Sequence, residues 1–480
     1  MTTMNNNRYY DIFGVSGPQL EALCAEALAG GGDWCDLFFE DTFYGELLLR
    51  DSEVGSGGFH SDFGCGVRVL KGDKTGYAYS ETTEPGALRD AARAAGAIAL
   101  GCPGAAALKI AASPAAQCRA GRLNPMARDW REAEASAFLP WLEKLDRTIR
   151  AREQRVVKVL AILDSQVSDI MMYNSLGELR CETRPLSSVA LSVVFQQGGR
   201  NETQSVSRSF RMGAEMLSDA LLDELAGEAL KGVDELFEAG KPRGGRMSVV
   251  MGAGASGILL HEAMGHAFEA DFNRKGQSIF SEKMGRRICR KGINIIDDGT
   301  IPFNRGSLEF DDEGVPMQKT YMVEDGVLRS YLHDRISAAW YGVPPTGNGR
   351  RESFRYNPIP RMRATYMESG SDGSCADLIA SVKKGVYVDQ FANGEVKIGE
   401  GDFTFYVKKG FLIENGRLTQ PVKDINIIGN GPEALADIRA VASDLKIDNG
   451  GWTCGKDQSV PVSCGIPSVL IGKLTVGGAQ

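Results

Sequence analysis

The sequence predicts an α+β protein: an N-terminal α/β layered region followed by a β-rich C-terminal domain of antiparallel sheets. Three observations predict it. Helical and strand periodicities alternate through the first quarter of the chain. Asp-Gly, Glu-Gly and Asn-Gly pairs punctuate short apolar runs in the second half, and such pairs accept the positive φ that hairpin turns require. At 480 residues, the chain also exceeds one ordinary core and divides into several domains.

Residues 1–16 lack an apolar run and read as a flexible N-terminal tail. An N-terminal α+β domain spans 17–125. Within it Pro18–Leu28 is an amphipathic helix ended by three glycines, and Asp36–Glu40, Glu46–Arg50, Gly66–Leu70 and Gly76–Ser80 are strands. The turn-rich Lys71–Thr75 joins the last two as a hairpin. Leu88–Leu100 is Ala-rich and helical, and Gly101-Cys-Pro-Gly breaks it. A central α+β region, 126–240, opens with a helix over Ala135–Arg152 and a strand over Val156–Asp164. Asp169–Asn174 and Glu178–Glu182 flank a second hairpin turn, Ser187–Gln197 is β-rich, and Ala214–Ala239 reads as one long helix with Leu217, Leu221, Leu222 and Leu225 at core spacing. Gly240-Lys-Pro-Arg-Gly-Gly marks the start of the C-terminal domain, 241–480. Its turns include Asp298-Gly, Glu313-Gly, Asp325-Gly, Asn393-Gly and Asn415-Gly, and Ala434–Leu445 reads as a closing helix.

With 43% hydrophobic and 24% charged residues the composition is that of a globular chain. No run approaches the roughly 20 apolar residues of a membrane span, and no secretory signal opens the chain. The expected location is the cytoplasm. Ten cysteines show neither disulfide-scaffold density nor a C-x-x-C pair, so most are small buried hydrophobes. A net charge of -8 without any Lys/Arg block argues against nucleic-acid binding.

Two of the four histidines, at 60, 261, 266 and 333, lie together in His261-Glu262-Ala-Met-Gly265-His266. Two imidazoles around a carboxylate are what a catalytic Zn²⁺ centre uses: the ion acidifies water and the carboxylate takes the proton. The spacing departs from H-E-x-x-H. Five residues apart on a regular α-helix the rings point about 140° apart, so one ion requires a π-type turn. Gly265, lacking side-chain bulk, favours that departure, and Ser256 is a candidate N-cap. The third ligand is open on spacing alone. Cys454 lies in a glycine-flanked turn, Cys464 follows ten residues later, and Cys289, Glu269 and Asp271 also compete. Glu269 and Asp271 could instead orient a ligand imidazole or be solvated carboxylates. His333 reads as a structural histidine bonded to Asp334 or backbone, with oxyanion stabilisation as the functional alternative. Arg361 and Arg363 read as exposed strand arginines, with a peptide carboxylate as their functional partner. His60 has no local partner signature. The absence of G-x-S-x-G weakens a serine-hydrolase reading.

The string HEAMGHAFEADFNRKGQS from His261, with Trp452-Thr-Cys-Gly-Lys-Asp-Gln, resembles the TldD branch of the TldD/PmbA family of zinc metallopeptidases. Further matching pieces are Gly66-Val-Arg-Val-Leu, Gly76-Tyr-Ala-Tyr, Asp311-Asp-Glu-Gly-Val-Pro, Gly326 to Asp334 and Gly410 to Leu418. The resemblance covers nearly the whole chain. It implies His261, His266 and Cys454 as metal ligands, Glu262 as the catalytic carboxylate and one Zn²⁺ per catalytic chain. It implies unfolded or flexible peptides as substrates and a dimer, either of two copies or with a PmbA/TldE-type subunit. A non-catalytic peptide-binding or assembly subunit is the competing reading, opposed by the intact motif. A gyrase-associated regulator is another, and the acidic balance does not support it. Neither nucleic acid nor membrane is an expected partner.

Overall fold

The structure, a computed structural model, describes residues 7–102, 104, 106, 108–112, 123–397 and 399–478. Cys118, Pro103 of the expected helix break and the first six residues of the expected tail lie outside them. The rest of that tail is not flexible. Residues Arg8–Phe13 form a helix, α1, capped by the Asn7 side chain and closed by Gly14 in the left-handed region. Tyr9 and Phe13 are buried, and Phe13 packs on Phe39 and Phe63 with ring centroids 5.4 and 5.7 Å apart. One short turn of helix shows no periodicity in sequence, so its two aromatic anchors were not legible as such.

Six long strands form one antiparallel sheet: β1 (Trp34–Arg50), β2 (Glu53–Lys71), β3 (Lys74–Ser80), β4 (Val156–Asn174), β5 (Leu179–Gln197) and β6 (Arg200–Phe210), in the order β3-β2-β1-β4-β5-β6. The two strands expected over 36–40 and 46–50 are one. Asp41–Gly45 lacks an apolar pattern, but β2 and β4 pair with it on both sides, and ladder bonds do not require apolar side chains. Both expected hairpins are present, β2–β3 and β4–β5.

Alternation along β1 sends Leu37, Phe39 and Leu47 to one face. There α2 (Gly17–Leu28) and α3 (Pro85–Leu100) cover one end of the sheet. The other end is covered by α4 (Leu139–Arg152) and α5 (Asp219–Ala229). The single helix expected over 214–239 is broken into a 3₁₀ turn at Ala214–Met216, α5, and α6 (Val233–Glu238). Gly232 at φ 71° takes the left-handed conformation between the last two, which no continuous helix can pass through.

The opposite face of the sheet meets the C-terminal half. Phe38, Ile170 and Met172 pack there with Phe310 and Phe354, alongside a buried ion network. Arg68 Nε donates to Asp36 at 2.9 Å and its Nη1 to Glu313 at 2.7 Å. All three side chains are buried. Arg68→Ala would take a guanidinium from two buried carboxylates, leaving Asp36 with Arg351 and Glu313 with the Arg335 N–H, at a cost of up to about 3–5 kcal/mol. Denaturant unfolding should show a clearly lowered midpoint, and an unchanged one would count against this network as the tie between the halves.

The C-terminal half holds two larger sheets. One runs through Val327–Leu328, Lys319–Glu324, Ile295–Asp298, Ala364–Met367, Ser463–Ile466 and Lys446–Asp448. The other runs through Lys384–Val396, Gly245–Met251, Val469–Val476, Ile425–Asn430 and Asp402–Glu414, and closes on itself because the first and last of these also pair. Two pairings are parallel rather than antiparallel: 385–388 with 248–251, and 364–366 with 463–465. Asp325-Gly326 and Asn415-Gly416 form hairpin turns with positive φ at both residues. Asn393-Gly does not turn the chain. It lies within the 384–396 strand next to a shift in register. The closing helix is short, Gly431–Ala436, because Ile438–Val441 leaves it to pair with the 469–476 strand. No helix among the described residues is long and apolar enough to cross a membrane.

Candidate metal centre

The histidine segment lies in an irregular helical run, its apolar residues in one cluster with residues of both C-terminal sheets. The backbone is 3₁₀ over Ala255–Gly257, α over Ile258–Leu260, π over His261–Gly265 and 3₁₀ again over His266–Phe268. The His266 N–H donates to the His261 carbonyl, five residues back. This is the wider turn that the five-residue spacing requires. Two details differ from expectation. Ser256 is not the cap: Gly254 precedes the first turn, and Ser256 sits buried inside it. Gly265 has ordinary helical angles, φ -57° and ψ -50°. Its role is spatial, since a Cβ there would stand 2.0 Å from Met362 Sδ.

A second close approach positions the same run. A Cβ on Gly257 would meet the Gly465 backbone nitrogen at 2.5 Å, and a strand paired on both edges cannot move away. Gly257→Ala should cost about 1–3 kcal/mol by overpacking and loosen metal retention with it. Unfolding midpoint and zinc content measured together check this, and an unaffected variant would refute the packing argument.

Cys454 comes from a distant segment. It lies not in a loop but on the strand Thr453–Lys456, which forms a tight hairpin with Gln458–Pro461 around Asp457 at φ 55°. Its Sγ is 3.0 Å from His261 Nε2 and 3.2 Å from His266 Nε2. The three ligand atoms all lie within 4.8 Å of one another. Tetrahedral zinc, with bonds of about 2.0–2.1 Å to nitrogen and 2.3 Å to sulfur, holds S and N about 3.5 Å apart. The group therefore needs to open by only about half an ångström. Its chemistry fits the ion as well. Burial alone would push the Cys454 thiol up, but the charges and hydrogen bonds of His261 and His266 override it and bring it down to about 4. A thiolate is thus already favoured between the two rings.

Around this trio the carboxylates divide. Glu269, fully buried, accepts from His266 Nδ1 at 3.0 Å and from Lys456 Nζ at 3.0 Å. Lys456 also reaches Asp271 at 2.8 Å. Burial would raise the Glu269 carboxyl, but Lys456 and His266 hold it down to about 2, so it orients the His266 ring as an anion. His261 Nδ1 is buried without a hydrogen-bond partner. Glu262 is half-buried beside the trio, and burial is the main cause raising its carboxyl above the usual range.

The other candidates lie apart. Cys464 is on the 463–466 strand with burial driving its thiol well up, and Cys289 is buried with a thiol pushed to about 12 by desolvation. Neither joins the group of ligand atoms among the described residues. His333 is buried, bonded through Nδ1 to Ser337 at 3.3 Å rather than to Asp334, and packed against Tyr331 and Tyr341. His60 stacks on Tyr44 in the N-terminal sheet. Arg361 donates to the Cys454 carbonyl at 2.6 Å and the Gln458 carbonyl at 2.8 Å, bracing the hairpin. Sequence reasoning missed both Lys456 and this bracing. The one available signal was the proximity of Lys456 to Cys454 in C-G-K.

The chain matches three successive sequence patterns: PmbA/TldA metallopeptidase domain 1 over residues 35–99, the central domain over 128–235 and the C-terminal domain over 244–478. A metalloprotease TldD homolog of Haemophilus influenzae is 39% identical over 93% of both chains. A zinc metalloprotease TldD homolog of Saccharolobus solfataricus is 32% identical over 61% of this chain and 65% of its own. Among solved structures, TldE of Thermococcus kodakarensis superposes with TM-score 0.75 at 18% identity, covering 96% of this chain and all of the other (100%). A Thermotoga maritima protein described as a candidate modulator of a DNA gyrase gives 0.77 at 22% identity, covering 96% and 99%. At such identities these two likenesses concern the fold.

Proposed function

Because this chain belongs to the PmbA/TldD metallopeptidase family, in its TldD branch, we propose that it is a zinc-dependent peptidase acting on unfolded or flexible peptides. The observation that carries this reading is the convergence of His261, His266 and Cys454 with Glu262 directly beside the first of them. The two imidazole Nε2 atoms and the thiolate would hold the ion. Zinc in such a set supplies Lewis acidity, polarising a carbonyl and acidifying water. Glu262 does not belong to the ligand group. It takes the proton from the attacking water and passes it to the leaving amine, a transfer favoured by a carboxyl that burial raises above its usual range. Glu269 orients His266, and Lys456 keeps Glu269 in place.

A cavity of about 960 Å³ has room for an extended peptide, although none of His261, Glu262, His266 and Cys454 lines it. It lies between the edge strand β6, α5 and the run from Lys446 through Trp452 that leads to Cys454. An exposed strand edge can hold a peptide by main-chain bonds without reading its side chains. We place the enzyme in the cytoplasm, where its cysteines, all free among the described residues, would stay reduced. It works as a dimer, of two copies or with a PmbA/TldE-type subunit.

The test is zinc content and cleavage of an unstructured peptide, alone and with a PmbA-type partner. About one zinc per chain, activity lost to a chelator and restored by zinc are expected. Full cleavage by metal-free protein, or none by loaded protein with either partner, would sink the reading.

A further inference from the structure

A second, smaller cavity of about 190 Å³ lies between the N-terminal sheet and the C-terminal half. Five arginines line it (Arg184, Arg211, Arg350, Arg351 and Arg363), against three carboxylates, Glu40, Asp312 and Glu352. The carboxylates are already committed or weak. Asp312 accepts from Arg184 at 2.5 Å and from the Arg351 N–H at 2.9 Å. Glu40 accepts from Thr42 and the Phe354 N–H, and burial pushes its carboxyl up to about 7, so it carries only part of a charge at neutral pH. Glu352 is exposed.

Arg184 and Arg351 have acidic partners, Glu182 with Asp312 for the first and Asp36 for the second. The other three donate to carbonyl oxygens. Arg211 reaches those of Arg305 and Pro185, Arg350 those of Met362 and Pro461, and Arg363 Nε that of Gly347. All three are buried, at 5%, 2% and 1% exposure. Both Nη atoms of Arg363 are buried without a hydrogen-bond partner, although the charges of Asp312, Asp311 and Asp297 act on its guanidinium. A buried cation with too little counter-charge is costly, and burial lowers Arg363 even though Asp312 and Asp311 act against it. Burial, then the neighbouring arginines, lowers Arg211 to about 9 and Arg350 well below its usual value.

We propose that this chamber binds a small oxyanion, held by Arg363, whose Nη atoms lack hydrogen-bond partners, with Arg350 and Arg211 around it. The guanidinium fork matches the paired oxygens of a carboxylate or a phosphate. The terminal carboxylate of a peptide and inorganic phosphate are the two sources of that chemistry. The chamber backs onto the metal centre: Arg361, two residues before Arg363, holds the Cys454 carbonyl, and Arg350 holds Pro461, which pairs with Thr453. The proposal does not depend on peptide cleavage, because binding is read without turnover.

Calorimetric titration of the purified full chain with inorganic phosphate, at constant ionic strength and with or without chelator, tests it. Saturable binding is expected, weakened by about tenfold or more in Arg363→Gln, as the loss of a charge-assisted bond requires. Should that variant fail to fold, Arg211→Gln is read in the same way. A short peptide with a free C-terminal carboxylate is then titrated against its amidated twin. Binding or phosphate displacement by the free acid alone identifies a peptide end as the source, and no displacement of bound phosphate identifies phosphate. No saturable binding of either probe, or binding that both variants leave unchanged, overturns the proposal.

Discussion

Cys454→Ser should strip the chain of nearly all its zinc, while Cys464→Ser leaves the metal content as it was. The thiol of Cys454 sits between the two Nε2 atoms, held toward the thiolate form by them. A serine hydroxyl in its place stays protonated at neutral pH and is a poor zinc donor. Loss of a supporting contact alone typically costs 10–100-fold in affinity, so loss of a direct ligand should exceed about 100-fold. Cys464 is only ten residues away in sequence, but its strand pairs with Ala364–Tyr366 and Lys446–Asp448 in the sheet. Its substitution should cost packing and not metal. Metal analysis of both dialysed variants decides, and the reverse pattern would move the third ligand to Cys464.

Glu262→Gln should retain zinc and lose peptide hydrolysis by about 10²–10⁴-fold, the range that general acid–base catalysis contributes. The amide matches the carboxylate in size, so the half-buried position is not repacked. It cannot accept a proton, and Glu262 is outside the trio of ligand atoms. Turnover measured per bound zinc separates this from metal loss. A fully loaded variant that still cleaves at the parent rate would remove Glu262 from the mechanism and reopen Glu269 for that role, although its contacts with His266 and Lys456 leave it little freedom.

What the sequence determined by itself is local. The five-residue spacing of His261 and His266 demanded a wider helical turn if both rings were to face one ion, and the π segment supplies it, because ring direction along a helix depends only on residues per turn. Asp325-Gly326 and Asn415-Gly416 turn where they should, since positive φ is a property of the residues themselves. Tertiary structure decided what depends on distant partners. The third member of the candidate metal group lies 193 positions from His261, and a hairpin braced by Arg361 brings Cys454, not Cys464, to the two histidines. The stretch Asp41–Gly45 is strand because two neighbours pair with it, and Asn393-Gly fails to turn because the 384–396 strand runs on through it. The chamber of arginines exists only where two halves of the chain meet. Dihedral preferences act over a few residues, whereas burial, pairing and charge surplus are set by segments that only folding brings together.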